Sequence, residues 1–233
     1  NSFIREADLE EDLVAVAIPL VVFLVLIAGE ESARQVLGQI KELRRRLRFL
    51  GDKIVLTREP GGTLLGEDIR KILQRTSDTP KIGERAELLL FTASRAQLVD
   101  EMLAPALSEG RHVIADRFLD STTIYQGVAR GLDPGTVTQI NRFAVGSCMP
   151  DVTFLMDIAP TDSRARLDAR AGEPLDRFEK LPNSFFNSVR EGYLKLAKAE
   201  PKRFVVVDAM QKISVISDQI WETINRRYDG LLS

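Results

Sequence analysis

Arg111-His112-Val113-Ile114-Ala115-Asp116-Arg117, running on to Tyr125-Gln126-Gly127, is the stretch whose reading decides the fold. The short apolar run Val113 to Ala115, bounded by charge, reads as a buried strand. It delivers Asp116 and Arg117 side by side at its carboxyl end, the edge of an open parallel sheet where ligands sit. An acid followed by a base at that edge can serve a metal ion and a phosphate together. Asp120-Ser121-Thr122-Thr123-Ile124-Tyr125-Gln126-Gly127 then supplies hydroxyls and amides suited to a small polar ligand. Taken alone, Asp116-Arg117 is equally well a strand end carrying an ordinary surface ion pair.

Outward from this stretch, four more runs read as strands: Val21 to Ile27, Lys53 to Thr57, Asp151 to Asp157 and Arg203 to Asp208. Helical spacing separates them. Leu37, Ile40, Leu43, Leu47 and Leu50 share one face, with Gly51 as the stop. Glu84 to Gly110 reads as a long helix, Pro134 to Val145, Thr161 to Ala171 and Glu191 to Ala199 as further helices, and a last helix includes Trp221. Strands alternating with helices predict an α/β fold, a parallel sheet covered on both faces. Residues 1–12 form an acidic lead-in, and 13–233 form one domain. Leu13 to Ala28 carries no charge. A membrane span needs about 20 apolar residues, and this shorter run holds Pro19. A signal peptide needs a basic front, whereas Glu6, Asp8, Glu10, Glu11 and Asp12 stand there. A buried first strand is the reading preferred here.

The bulk composition narrows the function. The chain has 233 residues, 44% hydrophobic and 28% charged, with a formal net charge of -2. No global basic field invites nucleic acid, so phosphate chemistry must come from local arginines. The single cysteine, Cys148, excludes an intramolecular disulfide and a multi-cysteine metal site. The only histidine, His112, enters a strand, which argues against a histidine triad or zinc site.

Three further stretches carry chemistry. In Thr57-Arg58-Glu59-Pro60-Gly61-Gly62-Thr63, Pro-Gly-Gly forces a turn of restricted backbone geometry, and Thr63 caps a helix carrying Glu67, Asp68 and Arg70. A plain turn would need the glycines but not Arg58 and Glu59. Phe91 and Arg95 lie one helical turn apart. A ring and a guanidinium on one face can hold a planar base by stacking and hydrogen bonding, although a lone Phe91 is also an ordinary core residue. Arg164, Arg166 and Arg170 precede Ala171-Gly172-Glu173-Pro174-Leu175, a pattern that suits a lid closing over phosphates or a solvated helix end. The run Arg44, Arg45, Arg46 and Arg48 reads as a solvated helix face.

Read together, these motifs resemble bacterial thymidylate kinase, a P-loop nucleoside monophosphate kinase family, over roughly Gln39 to Tyr228. The signatures are Thr57-Arg58-Glu59-Pro60-Gly61-Gly62, Phe91-Thr92-Ala93-Ser94-Arg95, Asp116-Arg117-Phe118, Tyr125-Gln126-Gly127-Val128-Ala129-Arg130-Gly131 and Leu175-Asp176-Arg177-Phe178-Glu179. The resemblance implies a three-layer P-loop-kinase fold with a five-stranded parallel sheet and a short lid at about 164–179. It implies phosphoryl transfer from ATP to dTMP with Mg²⁺, in a cytoplasmic homodimer without nucleic-acid or membrane partners. Phe91 would stack on thymine and Arg95 would bond its edge. Arg70 and Arg117 would hold the dTMP phosphate, with Glu59, Thr122 and Gln126 lining the pocket. Asp116 would organise Mg²⁺ and its water, and Arg166 and Arg170 would neutralise charge on the transferred group. Such chemistry needs positioning and charge neutralisation rather than a nucleophilic side chain.

One expected part is absent. No GxxxxGK[ST] loop, whose amides, lysine and hydroxyl serve phosphates and Mg²⁺, occurs in the chain. The corresponding stretch is Ala28-Gly29-Glu30-Glu31-Ser32-Ala33-Arg34-Gln35-Val36-Leu37-Gly38. The lysine position falls on Val36, and Gly29, Ser32, Arg34 and Val36 would make a degenerate ATP loop. Three accounts are open: residues before Gln39 differ from the natural ones, as the opening Asn1 in place of methionine also suggests; the protein is a non-catalytic nucleotide-binding homologue; or an unusual loop works.

Overall fold

The computed structural model describes residues 21–26, 30–75, 81–168 and 177–227, those of 22–35 by backbone alone. The acidic lead-in, Leu13 to Leu20, Ile27 to Gly29 and Arg170 to Asp176 lie outside the described residues. The elements are β1 (Val21–Leu26), α1 (Glu30–Arg46), β2 (Ile54–Arg58), α2 (Leu64–Gln74), α3 (Glu84–Leu98), α4 (Ala104–Ser108), β3 (His112–Asp116), α5 (Leu119–Thr122), α6 (Pro134–Val145), β4 (Val152–Asp157), α7 (Pro160–Asp168), α8 (Asn183–Ala199), β5 (Phe204–Asp208) and α9 (Ile213–Arg227).

The strands form one sheet in the order β2-β3-β1-β4-β5, and all four neighbouring pairs are parallel. The two-residue period of a strand explains how it is covered on both faces. Ile54 and Leu56 of β2, Ile114 of β3, Val152, Phe154 and Met156 of β4, and Val205 and Val207 of β5 point one way. There they meet Val36, Ile40, Leu43 and Leu47 of α1 and Ile216, Ile220 and Ile224 of α9. Val55, Val113 and Ala115 point the other way, onto Leu98, Val99, Leu103 and Val145. Leu155 and Phe204 join Val189 and Tyr193 of α8 on that face. Sequential strands β1 and β2 are separated by β3, so the chain crosses over and leaves a crevice at the carboxyl edge, where such sheets bind ligands.

Several local expectations are corrected. The first helix ends at Arg46, a turn before Gly51, and a 3₁₀ turn follows over Arg48–Lys53 with Gly51 at φ 55. Leu37 is exposed rather than on the core face. The long helix after Glu84 is interrupted by π-helical turns at Val99–Leu103, just before Pro105, which has no N–H to continue the ladder. The polar stretch Asp120 to Gly127, given no secondary structure from its sequence, is helical: α5 runs into π-helical turns over Thr123–Ala129. Among the described residues, no helix is long and apolar enough to cross a membrane.

Candidate active site

β2 and β3 end side by side, and their ladder continues one residue further, with the Glu59 N–H donating to the Asp116 carbonyl at 2.9 Å. This brings Arg58, Glu59, Asp116 and Arg117 to one mouth. Beyond Glu59 a cis Glu59-Pro60 bond is followed by Gly61 and Gly62, at φ 131 and 84. Glycine is required at 62, because a Cβ there would come within 2.8 Å of the Leu98 side chain. Thr63 caps α2 as expected: its hydroxyl accepts from the Gly66 N–H at 3.0 Å. Glu67, in the first turn, accepts from the Gly62 N–H and from Arg58, both at 3.0 Å. The turn is thereby fastened to the helix that carries Arg70.

Between this turn, α3 and the α5 segment lies a cleft of about 150 Å³ that opens to solvent at its mouth. Glu59, Arg70, Phe91, Arg95, Asp116, Arg117, Thr122 and Gln126 all line it. Sequence reasoning thus gathered residues from five separate segments onto one cavity. It named Ser121 and Tyr125 only within the polar stretch suited to a ligand, and gave no role to Pro60, Leu73, Gln74, Phe178, Glu179 and Phe186, which line it as well. Phe178 and Glu179 sit inside the quoted signatures, the one signal that could have marked them.

Arg95 is the most constrained group. It is 1% exposed. Its Nε donates to both Glu59 carboxylate oxygens (3.1 and 3.0 Å), and Nη2 donates to Glu59 Oε2 (2.6 Å) and to the Thr122 hydroxyl (3.0 Å). Nη1 donates to Asn141 Oδ1 at 2.8 Å, and the guanidinium lies over the Phe118 ring at 5.4 Å. Four of the five N–H donors a guanidinium carries are engaged in these bonds. Burial pushes the Glu59 carboxyl up to about 6, against the pull of Arg95. Burial likewise raises Asp116, against Arg117, Arg70 and Arg58.

Arg117 has φ 66, a left-handed backbone that a non-glycine residue adopts only where its surroundings hold it. Its guanidinium sits 5.5 Å from the Tyr125 ring centre. Burial works to lower its pKa, but Tyr125, Asp116 and Tyr193 outweigh it, so the charge is secure. Arg70 donates to the Pro60 carbonyl at 3.1 Å. Arginines 58, 70, 95 and 117 line one cleft together with the flat Phe91 ring, an arrangement whose chemistry suits an anion attached to a planar ring.

The remaining predicted residues lie elsewhere. Arg166 does not line the cleft; it donates to the Ala209 carbonyl at 3.3 Å and reaches Met210, just past the carboxyl end of β5. Arg164 donates to the Glu179 and Leu181 carbonyls. Arg170 and Gly29 lie outside the described residues. Ser32 and Arg34 fall on the backbone of α1. Val36 is 1% exposed and packed in the core, not facing the cleft.

The sequence pattern of one family, described as Thymidylate kinase, matches residues 38–220. The chain belongs to the thymidylate kinase family. That match begins within one residue of Gln39, where the resemblance begins, at the end of the stretch that lacks the phosphate loop. The chain is similar to thymidylate kinase of Syntrophotalea carbinolica, with 43% identity over 206 residues, 86% of this chain and 94% of that protein. It is similar to the thymidylate kinase of Chlamydia muridarum, with 42% identity over 84% of this chain and 95% of that one. Its fold is similar to the crystal structure of thymidylate kinase from Ehrlichia chaffeensis, with a TM-score of 0.67 and 27% identity, covering 88% of this chain and 98% of that one. The α/β architecture is therefore that of a P-loop kinase, as the thymidylate kinase resemblance implied.

Proposed function

We propose that this protein transfers the terminal phosphoryl group of ATP to dTMP, giving dTDP and ADP. The observation that carries this is the cleft: its arginines, Phe91 and Thr122 converge from five segments on one cavity. Arg70 and Arg117 hold the acceptor phosphate, Phe91 stacks on the base, and Arg95, fixed by Glu59, presents its remaining N–H to the base edge. Nothing in this chemistry calls for a covalent intermediate.

Among the described residues no cluster of three metal-ligating side chains occurs. Mg²⁺ is commonly held by one or two carboxylates together with substrate phosphates. Asp116 would hold it, directly or through water, and the ion would neutralise phosphate charge. Arg166 and Arg170, in a lid over about 164–179, complete that neutralisation. Arg166 stands at the carboxyl edge of the sheet, consistent with this role. The reaction belongs in the cytoplasm, with the chain as a homodimer joined through the face that α3 shares with α2 and α6.

For the donor loop, we infer that the stretch Glu30-Glu31-Ser32-Ala33-Arg34-Gln35 is a phosphate loop read out of register. Among the many codon sets that encode those six residues is GAG-GAG-TCG-GCA-AGA-CAG. Read from the third nucleotide of the first codon, the same letters give Gly-Val-Gly-Lys-Thr, the glycine-lysine-hydroxyl ending the family requires. The gene's nucleotides decide this. Codons at these positions whose shifted reading lacks Gly-Lys-[Ser or Thr] would refute it. For the reaction itself, protein mixed with dTMP, ATP and Mg²⁺ yields dTDP and ADP in equal amounts. Binding of dTMP without any dTDP would overturn the activity for this chain and leave the acceptor site standing.

A further inference from the structure

Glu87 takes no part in the reading above, yet it is one of the most completely enclosed charges in the molecule. It lies in the first turn of α3 and is 1% exposed. Its Oε1 accepts from Gln126 Nε2 at 2.8 Å and from Arg130 Nε at 3.4 Å. Its Oε2 accepts from Arg177 Nη2 at 2.8 Å and from Arg130 Nη2 at 3.5 Å. One carboxylate thus ties α3 to the turns after α5 and to the segment that enters α8.

What that tie holds is specific. Arg177 also donates its Nε to the Leu73 carbonyl at 3.0 Å, so it is clamped between α2 and α3. Its guanidinium lies 4.5 Å from the centre of the neighbouring Phe178 ring. Phe178 in turn stands 6.0 Å from Phe91, and both rings line the cleft. Glu87, Phe91 and Arg95 are spaced four apart, so one face of α3 carries in succession an anchor, a ring and a guanidinium. A carboxylate buried beside two guanidiniums is costly to desolvate. Its replacement by an apolar residue would fill the same space, which points to a requirement for placement rather than for stability.

We propose that Glu87 is a positioning residue for the nucleotide base: through Arg177 it seats Phe178 as a second aromatic wall of the slot whose first wall is Phe91. The proposal rests on the thymine-nucleotide reading of the cleft, and thymidine, which has the base and no phosphate, separates the two. Calorimetry would compare thymidine and dTMP binding to the wild-type chain, Glu87→Gln, Arg177→Met, Phe178→Leu and the Glu87→Gln/Phe178→Leu pair, with melting temperature recorded for each. Glu87→Gln should weaken both ligands by the same factor, about tenfold for a lost charged hydrogen-bond partner. In the Phe178→Leu background it should add less than about twofold, since its route is already gone. Full additivity in the pair overturns the proposal, and so does a lowered melting temperature with binding unchanged. Should Glu87→Gln not fold, Arg177→Met alone and combined with Phe178→Leu makes the same comparison from a partly exposed position. A wild-type chain that binds neither ligand refutes the thymine reading itself, whereas wild-type binding with insensitive variants refutes only the role of Glu87.

Discussion

Arg95 and Glu59 concentrate the site's energetics in one buried pair. Removing a single partner from such a pair leaves an uncompensated charge. Arg95→Met should therefore cost about 3–5 kcal/mol at neutral pH, measurable by urea unfolding. The pH dependence has a definite sign. Glu59 is raised to about 6 in the fold against an ordinary 4.5, so between those values the folded protein holds a proton that the unfolded chain has released. Its contribution is fully present below about 4.5 and is lost as pH rises through about 6. Unfolding free energies of wild type and Glu59→Gln, followed over that window, should shift in favour of the variant as pH rises. A shift the other way would mean that Arg95 dominates burial. The sequence singled out both residues, Arg95 for its face shared with Phe91 and Glu59 for its place before a rigid turn. Their pairing with each other was not legible, because 36 residues separate them and only the fold closes the gap.

At the scale of elements, the strands were legible because a parallel sheet covered on both faces must be built from nearly unbroken apolar runs. Val113 to Ala115 and Val152 to Met156 are such runs, and each is fully buried. Pro-Gly-Gly and Thr63 announced the start of α2 through backbone geometry and capping, both local effects. The helical path from Leu119 to Ala129 was not legible. Helices are recognised by an apolar stripe, and here much of the buried stripe is polar: Asp120, Thr122 and Gln126. Each is satisfied by a distant partner. Asp120 accepts from Arg203 at 2.7 and 2.8 Å, Thr122 accepts from Arg95, and Gln126 donates to Glu87. A segment that buries hydroxyls, amides and a carboxylate has no hydrophobic period to read; Thr122 and Gln126 are polar where it forms a wall of the cleft, and Asp120 where it meets Arg203. Leu37 failed in the opposite sense: its spacing fits the stripe of α1, but it lies at the stripe's edge and is exposed.

For the whole molecule, the two faces of the sheet divide the labour. α1 and α9 close one face, held together by Gln39, which accepts from Ser217 at 2.7 Å and donates to the Ile213 carbonyl at 3.1 Å. α3, α4, α6 and α8 close the other, and α3 lends its inner side to the cleft. Leu64 of α2, Leu89 of α3 and Phe143 of α6 stand 88%, 56% and 89% exposed. Where such groups join into one patch they mark an interaction surface. A second copy of the chain packed there gives the homodimer proposed above. Light scattering on the purified protein should return twice the chain mass, and Phe143→Glu should return one chain mass with dTMP binding retained. A wild-type monomer at micromolar concentration would remove the dimer from the account. The central claim, however, is that the cleft grips a thymine nucleotide at both ends, and a crystal structure with dTMP bound tests it most directly. The account predicts the base lying against Phe91 with its edge toward Arg95, and the phosphate between Arg70 and Arg117. A nucleotide bound elsewhere, or turned so that its phosphate faces Phe91, would contradict it.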